Sequence, residues 1–181
     1  MENASKALIM AATVLLGVMI ISVGVTLFKT FSDFSADTAQ KMQEKQISEW
    51  NNTYLKYYGT NITSKINSKG QLVEEQGPIK VTAHDIVSVI NSAAQNNIYY
   101  FEDETDKTKY AGNENYYYVQ VSINEINKGT YAESWNEKEK MQFLKQNSLT
   151  DKNETMYFKC TDVKISSVTK RVYSITFSKI K

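Results

Sequence analysis

The run from Ala7 to Phe28, ALIMAATVLLGVMIISVGVTLF, extends over 22 residues without one charged side chain. As an α-helix it would be about 33 Å long, close to the roughly 30 Å hydrocarbon core of a bilayer. The run is apolar on every face, which makes the alternative, a buried helix of a soluble protein, less favoured. The sequence therefore predicts one membrane-spanning helix in contact with membrane lipid.

A removable secretory signal is the second alternative for this run. Signal peptides have an apolar core of about 7–15 residues, followed by small residues three and one positions before the cleavage site. The run is longer than that, and cleavage after Ala36 would place Phe34 where a small side chain is required. We therefore interpret the run as an anchor and expect a single-pass protein of the cell membrane.

Helical sequence continues beyond the apolar run. Residues 29–58 contain no glycine or proline, and Gly59 is the first residue that would break a helix. We predict a nearly continuous helix from about Ser5 to Tyr58, with Gly59 as its left-handed C-cap. A juxtamembrane linker with incidental aromatic residues is the alternative. At 100° per residue one face collects Phe28, Phe31, Ala39, Met42, Trp50, Tyr54 and Tyr57.

Small residues recur along one face of the apolar run. Ala7, Ala11, Gly17 and Gly24 lie on this face. Small side chains let helix backbones approach closely in lipid, where tight packing drives association. We expect this face to pack against a second copy or a partner membrane helix, although glycine and alanine are common in membrane helices generally.

Composition excludes several classes of protein. The chain has 21 basic and 20 acidic residues, so it lacks the positive charge of a nucleic-acid-binding protein. One cysteine and one histidine cannot supply an internal disulfide or a zinc site of the usual type. We predict no cofactor and no nucleic-acid partner.

Residues 1–58 are the predicted transmembrane and stalk helix, and residues 59–181 are the predicted head domain. Residues 60–80 contain Gly70 and the Gly77–Pro78 pair, which predict an irregular connection with one short extended piece at Leu72–Val73.

Two short helices are predicted in the head. The segment VTAHDIVSVINSAAQNN begins at a capping box of Thr82 and Asp85. A second helix lies in SWNEKEKMQFLKQNS, with Ser134 capped against Glu137. The expected core residues of the two helices are Ile86, Val89, Ile90 and Ala93 in the first, and Met141 and Leu144 in the second.

Four segments have the composition of strands: NIYYFE, NYYYVQVSIN, ETMYFKCTDVKI and RVYSITFSKIK. In the second segment Tyr117, Val119, Val121 and Ile123 alternate with polar or tyrosine positions, which predicts one buried and one exposed face. The expected fold is α+β: a long N-terminal transmembrane-plus-stalk helix and a C-terminal antiparallel sheet of about four strands, with two short helices on one face.

Tyrosine is the one surface feature above background. Tyr99, Tyr110, Tyr116 and Tyr118 belong to one predicted hairpin, and adjacent strand positions cannot all face the core. Tyrosine is favoured at protein contacts, so we predict that these four residues bind a partner. A half-exposed ladder of aromatic rings that only stabilises the sheet is the alternative.

No residue pattern indicates catalysis. His84 is expected at the surface in the first turn of its helix, and Cys160 is expected to be a small buried residue of a strand. The acidic segment EDETD lacks the spacing and the glycine of a calcium-binding loop, so a solvated loop is the expectation. We predict that the protein is not an enzyme.

A long N-terminal helix that leads into an antiparallel sheet resembles the layout of type IV pilins and pseudopilins. The glycine cleavage point and the glutamate at the fifth mature position are missing, since Glu2 and Lys6 precede the run. More closely, MENASKALIMAATVLL, QISEWNNTYLKYYG and VTAHDIVSVINSAAQNN resemble small single-pass proteins of low-GC Gram-positive bacteria of unassigned function. This resemblance covers about residues 1–97 and implies no functional residues.

The sequence predicts a membrane-anchored, non-enzymatic structural or interaction protein, with a pilin-like assembly subunit as its specific form. A monomeric membrane-tethered binding module and an accessory subunit of a membrane complex are the alternatives, so the partner is a second copy or another membrane protein. Lys29, Lys41 and Lys45 against Lys6 mildly favour a cytoplasmic head. The short N-terminal tail and the Tyr-, Asn-, Ser- and Thr-rich sheet favour export, and we expect an extracytoplasmic head at the cell surface.

Overall fold

The computed structural model describes residues 2–101, 109–126, 131–150 and 153–180. The chain divides into two compact units, one up to Gln46 and one from Ile47 onward. The first unit is helical throughout its described length and belongs to helix α1, Glu2–Leu55. By length and composition alone, α1 is apolar enough to cross a membrane, and a signal sequence would meet the same criterion.

Three threonine side chains of the first unit form hydrogen bonds within the helix. The hydroxyls of Thr13, Thr26 and Thr30 donate to backbone carbonyls three or four residues earlier, which removes their need for water. Outside the apolar run, Lys41 pairs with Asp37 at 2.8 Å. The large apolar side chains of the run are all exposed, so no other described residue covers them.

The end of α1 differs from the prediction by three residues. The helix stops at Leu55, and the amides of Tyr57 and Tyr58 then bond to the third residue before them instead of the fourth. Tyr57 N–H donates to the carbonyl of Tyr54, and Tyr58 N–H donates to that of Leu55. Gly59 then has φ +128°, a conformation that side chains disfavour. This φ lies far from the left-handed helical value of about +57°, so the prediction of Gly59 as a left-handed C-cap is wrong.

A β-hairpin follows, where the sequence predicted an irregular connection. Strands β1 (Thr60–Ile66) and β2 (Leu72–Pro78) pair antiparallel along their full lengths. The Asn67 side chain closes the turn by accepting hydrogen bonds from the amides of Lys69 and Gln71. The prediction was wrong because the β-branched residues of β1 outweigh the glycine and proline signals around it.

The second sheet has four strands in the order β3-β5-β6-β4. Their ranges are β3 Val81–Thr82, β4 Gln120–Ile123, β5 Tyr157–Ile165 and β6 Val172–Lys179. The first three strands in that order pair antiparallel, whereas β4 pairs parallel with β6. The α+β class and the four-strand sheet are confirmed, and the sheet is mixed because β4 follows a helix instead of a hairpin partner.

Helix α2 (Ala83–Phe101) has the predicted start and a different end. Thr82 and Asp85 form the predicted reciprocal cap, with the Thr82 amide donating to Asp85 at 2.9 Å. The helix continues through Phe101, so the strand predicted at NIYYFE is wrong. The segment contains no glycine or proline that would end the helix, so Tyr99, Tyr100 and Phe101 form its last turn.

Helix α3 (Glu137–Asn147) begins one cap later than predicted. Asn136 and Glu139 form the capping box, in place of Ser134 and Glu137. Phe143 lies in the core and Met141 is 66% exposed, so the prediction of Met141 as a core residue is wrong. Leu144 is partly buried, as an edge of the core.

The core of the second unit lies between α2, α3 and the four-stranded sheet. The buried side of α2 is the predicted one. The large side chains that are fully buried in this core are Tyr54, Val81, Ile86, Val89, Ile90, Val119, Val121, Ile123, Phe158, Val172, Ile175 and Phe177.

Candidate interaction surface

Side chains near the end of α1 are built into the second unit. The side-chain amide of Asn51 donates to the carbonyl of Lys170 and accepts the Val172 N–H, both at 2.8 Å. It therefore pairs with backbone groups at the start of β6 as a neighbouring strand would. Tyr54 is fully buried, and this burial raises the pKa of its hydroxyl to about 12. Residues 47–55 are therefore a structural part of the head.

The loop between β5 and β6 fixes Arg171. The Ser166 hydroxyl accepts the amides of Val168 and Thr169, and Lys170 adopts φ +59°, which turns the chain back into β6. Glu114 holds the same loop by accepting the Ser167 amide and hydroxyl, and these bonds keep the pKa of Glu114 below its usual range. The next side chain is thus presented from a constrained turn.

Arg171 is the only arginine of the chain, and aromatic rings surround it. Its guanidinium carbon lies 4.1 Å from the ring centroid of Trp50 and 5.0 Å from that of Tyr117. Its nitrogens donate to the Tyr100 hydroxyl and to the Asn96 side chain, both at 3.3 Å. A planar guanidinium can stack and donate at once, which an ammonium cannot.

The rings around Arg171 reach the surface. Tyr100 and Tyr117 stack with centroids 4.9 Å apart, and each is close to half exposed. Tyr99 packs edge-on against Tyr100 and is 79% exposed. We name this region the aromatic–arginine surface; its residues are Trp50, Tyr99, Tyr100, Tyr117 and Arg171.

Only part of the predicted tyrosine surface is exposed. Tyr99 is exposed and Tyr116 is half-buried, but Tyr110 and Tyr118 are buried. Phe101 at the end of α2 covers the last two, with its ring centroid 4.5 Å from that of Tyr110 and 5.7 Å from that of Tyr118, so of the four predicted residues Tyr99 offers the most surface to a partner.

The strand predicted at NYYYVQVSIN is shorter than expected, and this exchanges two neighbouring tyrosines. Ordered pairing begins at Gln120, so the residues before it do not alternate as a strand. Tyr117, predicted to face the core, is exposed, and Tyr118 is buried instead. Sequence reasoning missed Trp50, Tyr100, Tyr117 and Arg171 as one cluster, although a single arginine among lysines was a usable signal.

Side chains form hydrogen bonds to the β4 edge of the four-stranded sheet. The Asn97 amide donates to the carbonyl of Val119 at 2.9 Å and accepts its N–H at 2.8 Å. Glu133 accepts the N–H of Val121 at 2.8 Å. Side chains thus occupy both backbone groups of Val119 and the N–H of Val121, which hinders the addition of another strand there.

Glu133 is a buried carboxylate. Desolvation raises the pKa of Glu133 to about 7, although the bond from Val121 opposes the shift. The same burial, together with the Glu133 charge, raises the pKa of the neighbouring Tyr118. The Glu133 carboxylate thus supports the sheet edge through its bond from the Val121 N–H.

The other sequence candidates occupy separate places. His84 and Met141 line an open groove of about 700 Å³ beside α3. Cys160 is buried, and its desolvation raises its pKa to about 11, which makes the thiol a poor nucleophile. Within the described ranges no three acidic, histidine or cysteine side chains converge as metal ligands. The EDETD segment lies outside the described residues.

The residues predicted for membrane helix packing lie on α1. Ala7, Ala11 and Gly24 are exposed, and Gly17 is partly exposed. A Cβ added at Gly17 or Gly24 would meet nothing within 4 Å. Packing of this face against another helix stays a prediction.

Comparison with models of protein families, with curated proteins and with solved structures finds no match to this chain.

Proposed function

We propose that this protein is a membrane-anchored, non-enzymatic assembly subunit that displays its α+β head outside the cytoplasm. The observation that carries the proposal is the uncovered apolar run of α1, whose large side chains are more than half exposed from Leu8 to Phe28. So much apolar surface requires cover by lipid or by other subunits. The long helix leading into a mixed sheet supports a pilin-like layout.

Extraction of cell membranes at alkaline pH tests the anchor. We expect the full-length chain to stay in the membrane pellet. Leu16→Asp should release a large share of it, because a carboxylate at the centre of a spanning helix costs about 3 kcal/mol. Met42→Asp, on the same helix and outside the apolar run, is the matched control and should stay bound. Recovery of a chain without its first 28 residues from the culture fluid would refute the anchor.

Protease treatment of intact cells tests the orientation of the head. Cleavage of the head in whole cells is the expected result. A head that survives in intact cells and is cut only after lysis would reverse the proposed topology.

Mild lysine cross-linking in the same membranes tests assembly, for which we expect a ladder of multiples of the chain mass.

The aromatic–arginine surface favours a second candidate, a membrane-tethered module that binds another protein. Exposed tyrosines held by stacking add contact area at a low entropy cost. Double replacement Tyr99→Ser and Tyr117→Ser should then abolish stoichiometric co-purification of a partner from detergent extracts. Tyr58→Ser is the control, since Tyr58 is half exposed and lies outside this surface. Co-purification that survives the double replacement would reject this candidate.

A further inference from the structure

The hairpin of β1 and β2, here named the hairpin arm, is not packed against any other element in the part of the chain that the structure describes. All residues of β1 are exposed, and in β2 only Gly77 is partly covered. Ile62, Ile66 and Leu72 are 61%, 73% and 70% exposed and lie on one face, since Ile66 pairs with Leu72. An isolated two-stranded hairpin is marginal in water, so the hairpin arm gains most from further strands.

The outward-facing residues of β1 follow from the pairing pattern. The Asn67 N–H donates to Gln71, and the Ile79 N–H donates to Gly59, one at each end of the arm. Antiparallel pairs alternate between bonded and non-bonded, so the odd-numbered residues of β1 bond to β2. The even-numbered residues of β1 therefore direct their N–H and C=O groups away from the hairpin: Thr60, Ile62, Ser64 and Ile66.

The two edges of the hairpin arm are not equally suited to pairing. β1 is rich in β-branched residues and contains neither proline nor glycine. β2 ends in Pro78, which has no N–H to donate, and carries adjacent Glu74 and Glu75 that would repel a second β2. The positive charge of Lys65 in β1 is already paired with Glu75, and this pairing holds the pKa of Glu75 below its usual range. β1 is the open edge.

We propose that β1 pairs antiparallel with β1 of a second copy of this chain, about a two-fold axis at Thr63. This register places Thr63 opposite its own copy and Ile62 opposite Ser64, so that every outward-facing residue of β1 finds a partner. Lys65 then faces Asn61, whereas a register centred on Lys65 would oppose two lysines. The two heads attach at opposite ends of the new four-stranded sheet, and the contact closes as an isologous dimer. The inference rests on the proposed assembly role and names its surface.

A disulfide between copies tests the register. Thr63 sits in a non-bonded pair across the proposed interface, where Cα atoms are about 4.5 Å apart, within the range that a disulfide spans. We expect Thr63→Cys in the full-length, membrane-bound chain to form a linked dimer as its major species on mild oxidation. Glu75→Cys is the matched control, because Glu75 pairs with Thr63 inside the arm and is equally open to solvent. It should stay mainly monomeric.

A proline variant adds a second readout. Ser64→Pro removes an outward N–H and leaves the bonds inside the hairpin in place, so it should abolish the dimer of Thr63→Cys. Gln76→Pro does the same to the outer edge of β2 and should leave that dimer intact.

Four results would overturn the inference. Equal linkage of Thr63→Cys and Glu75→Cys would mean random collision, and linkage of Thr63→Cys to a different protein would mean a foreign strand at this edge. Absence of the disulfide together with a lysine cross-linking ladder would reject the β1 pairing while the assembly proposal stands. Absence of both would reject the two together.

Discussion

The hairpin arm and the four-stranded sheet of the head differ in what covers their edge strands. Every sheet ends in strands with unpaired backbone groups. In the head, Asn97 and Glu133 bond to the outer groups of residues 119 and 121, and helices cover the apolar face. In the hairpin arm, no described residue covers the edges or the apolar face. The β4 edge of the head sheet is therefore bonded to side chains of its own chain, whereas the β1 edge of the arm has backbone groups left for a partner strand.

Core truncation should separate the two regions most strongly. Phe177 is fully buried in the head sheet, so Phe177→Ala should lower the free energy of unfolding by about 3–5 kcal/mol through lost burial and a cavity. Ile66→Ala in the exposed arm should lower it by less than about 0.5 kcal/mol in the monomeric, detergent-solubilised chain. Chemical denaturation followed by tryptophan fluorescence measures both. Similar losses for the two variants would contradict the contrast.

The buried carboxylate should make the head sensitive to pH. A rise in the pKa of Glu133 from 4.5 to about 7 on folding corresponds to about 3 kcal/mol. The unfolded chain ionises first, so this cost is absent below about pH 4.5, grows as the pH rises, and is complete above about pH 7. Glu133→Gln should remove it and still accept the Val121 N–H.

The measurement is the free energy of unfolding of both chains from pH 4.5 to 8. Glu133→Gln should match the native chain at the acid end and exceed it by up to about 3 kcal/mol at the alkaline end. Glu74→Gln in the arm is the control and should show no such trend. A constant difference between Glu133→Gln and the native chain at every pH would mean that Glu133 is not desolvated.

Edge capping should give the next effect. Asn97→Ala leaves the N–H and C=O of Val119 buried without these partners, which should cost about 2 kcal/mol. Asn67→Ala removes two bonds in the solvated turn of the arm and should cost less than about 1 kcal/mol. Urea unfolding of the two variants at pH 7 compares them. An equal cost would show that the sheet edge gains nothing from its cap.

Local patterns predicted the parts of the molecule that local forces determine. The apolar run, the Thr82 cap, and the buried side of α2 follow from spacing and side-chain chemistry within a few residues, and the observed start of α2 agrees with the predicted one. The strands β5 and β6 were predictable in the same way, because the loop between them is short. The α+β class follows from this set of elements.

Contacts between distant residues explain what the sequence did not show. The end of α2 depends on the packing of Phe101 against tyrosines from a later segment. Because NIYYFE is part of this helix, β4 has no preceding strand to form a hairpin with, and it pairs parallel with β6. Arg171 and Trp50 are 121 positions apart, so no local pattern could join them. The hairpin arm was missed for another reason, since its strands bury no face and thus lack the usual alternation.

The aromatic–arginine surface should show the smallest effect, because its contacts are partly solvated. Arg171→Lys keeps the charge and loses the flat stack on Trp50 and the paired bonds to Tyr100 and Asn96. Exposed cation–π contacts contribute about 0.5–1 kcal/mol, so we expect a loss of about 1 kcal/mol in the free energy of unfolding. Lys164→Ala, an exposed cation of neighbouring β5, is the control and should change it by less than about 0.5 kcal/mol. If both variants behave alike, the guanidinium contributes charge alone, and a lysine would serve as well at this position.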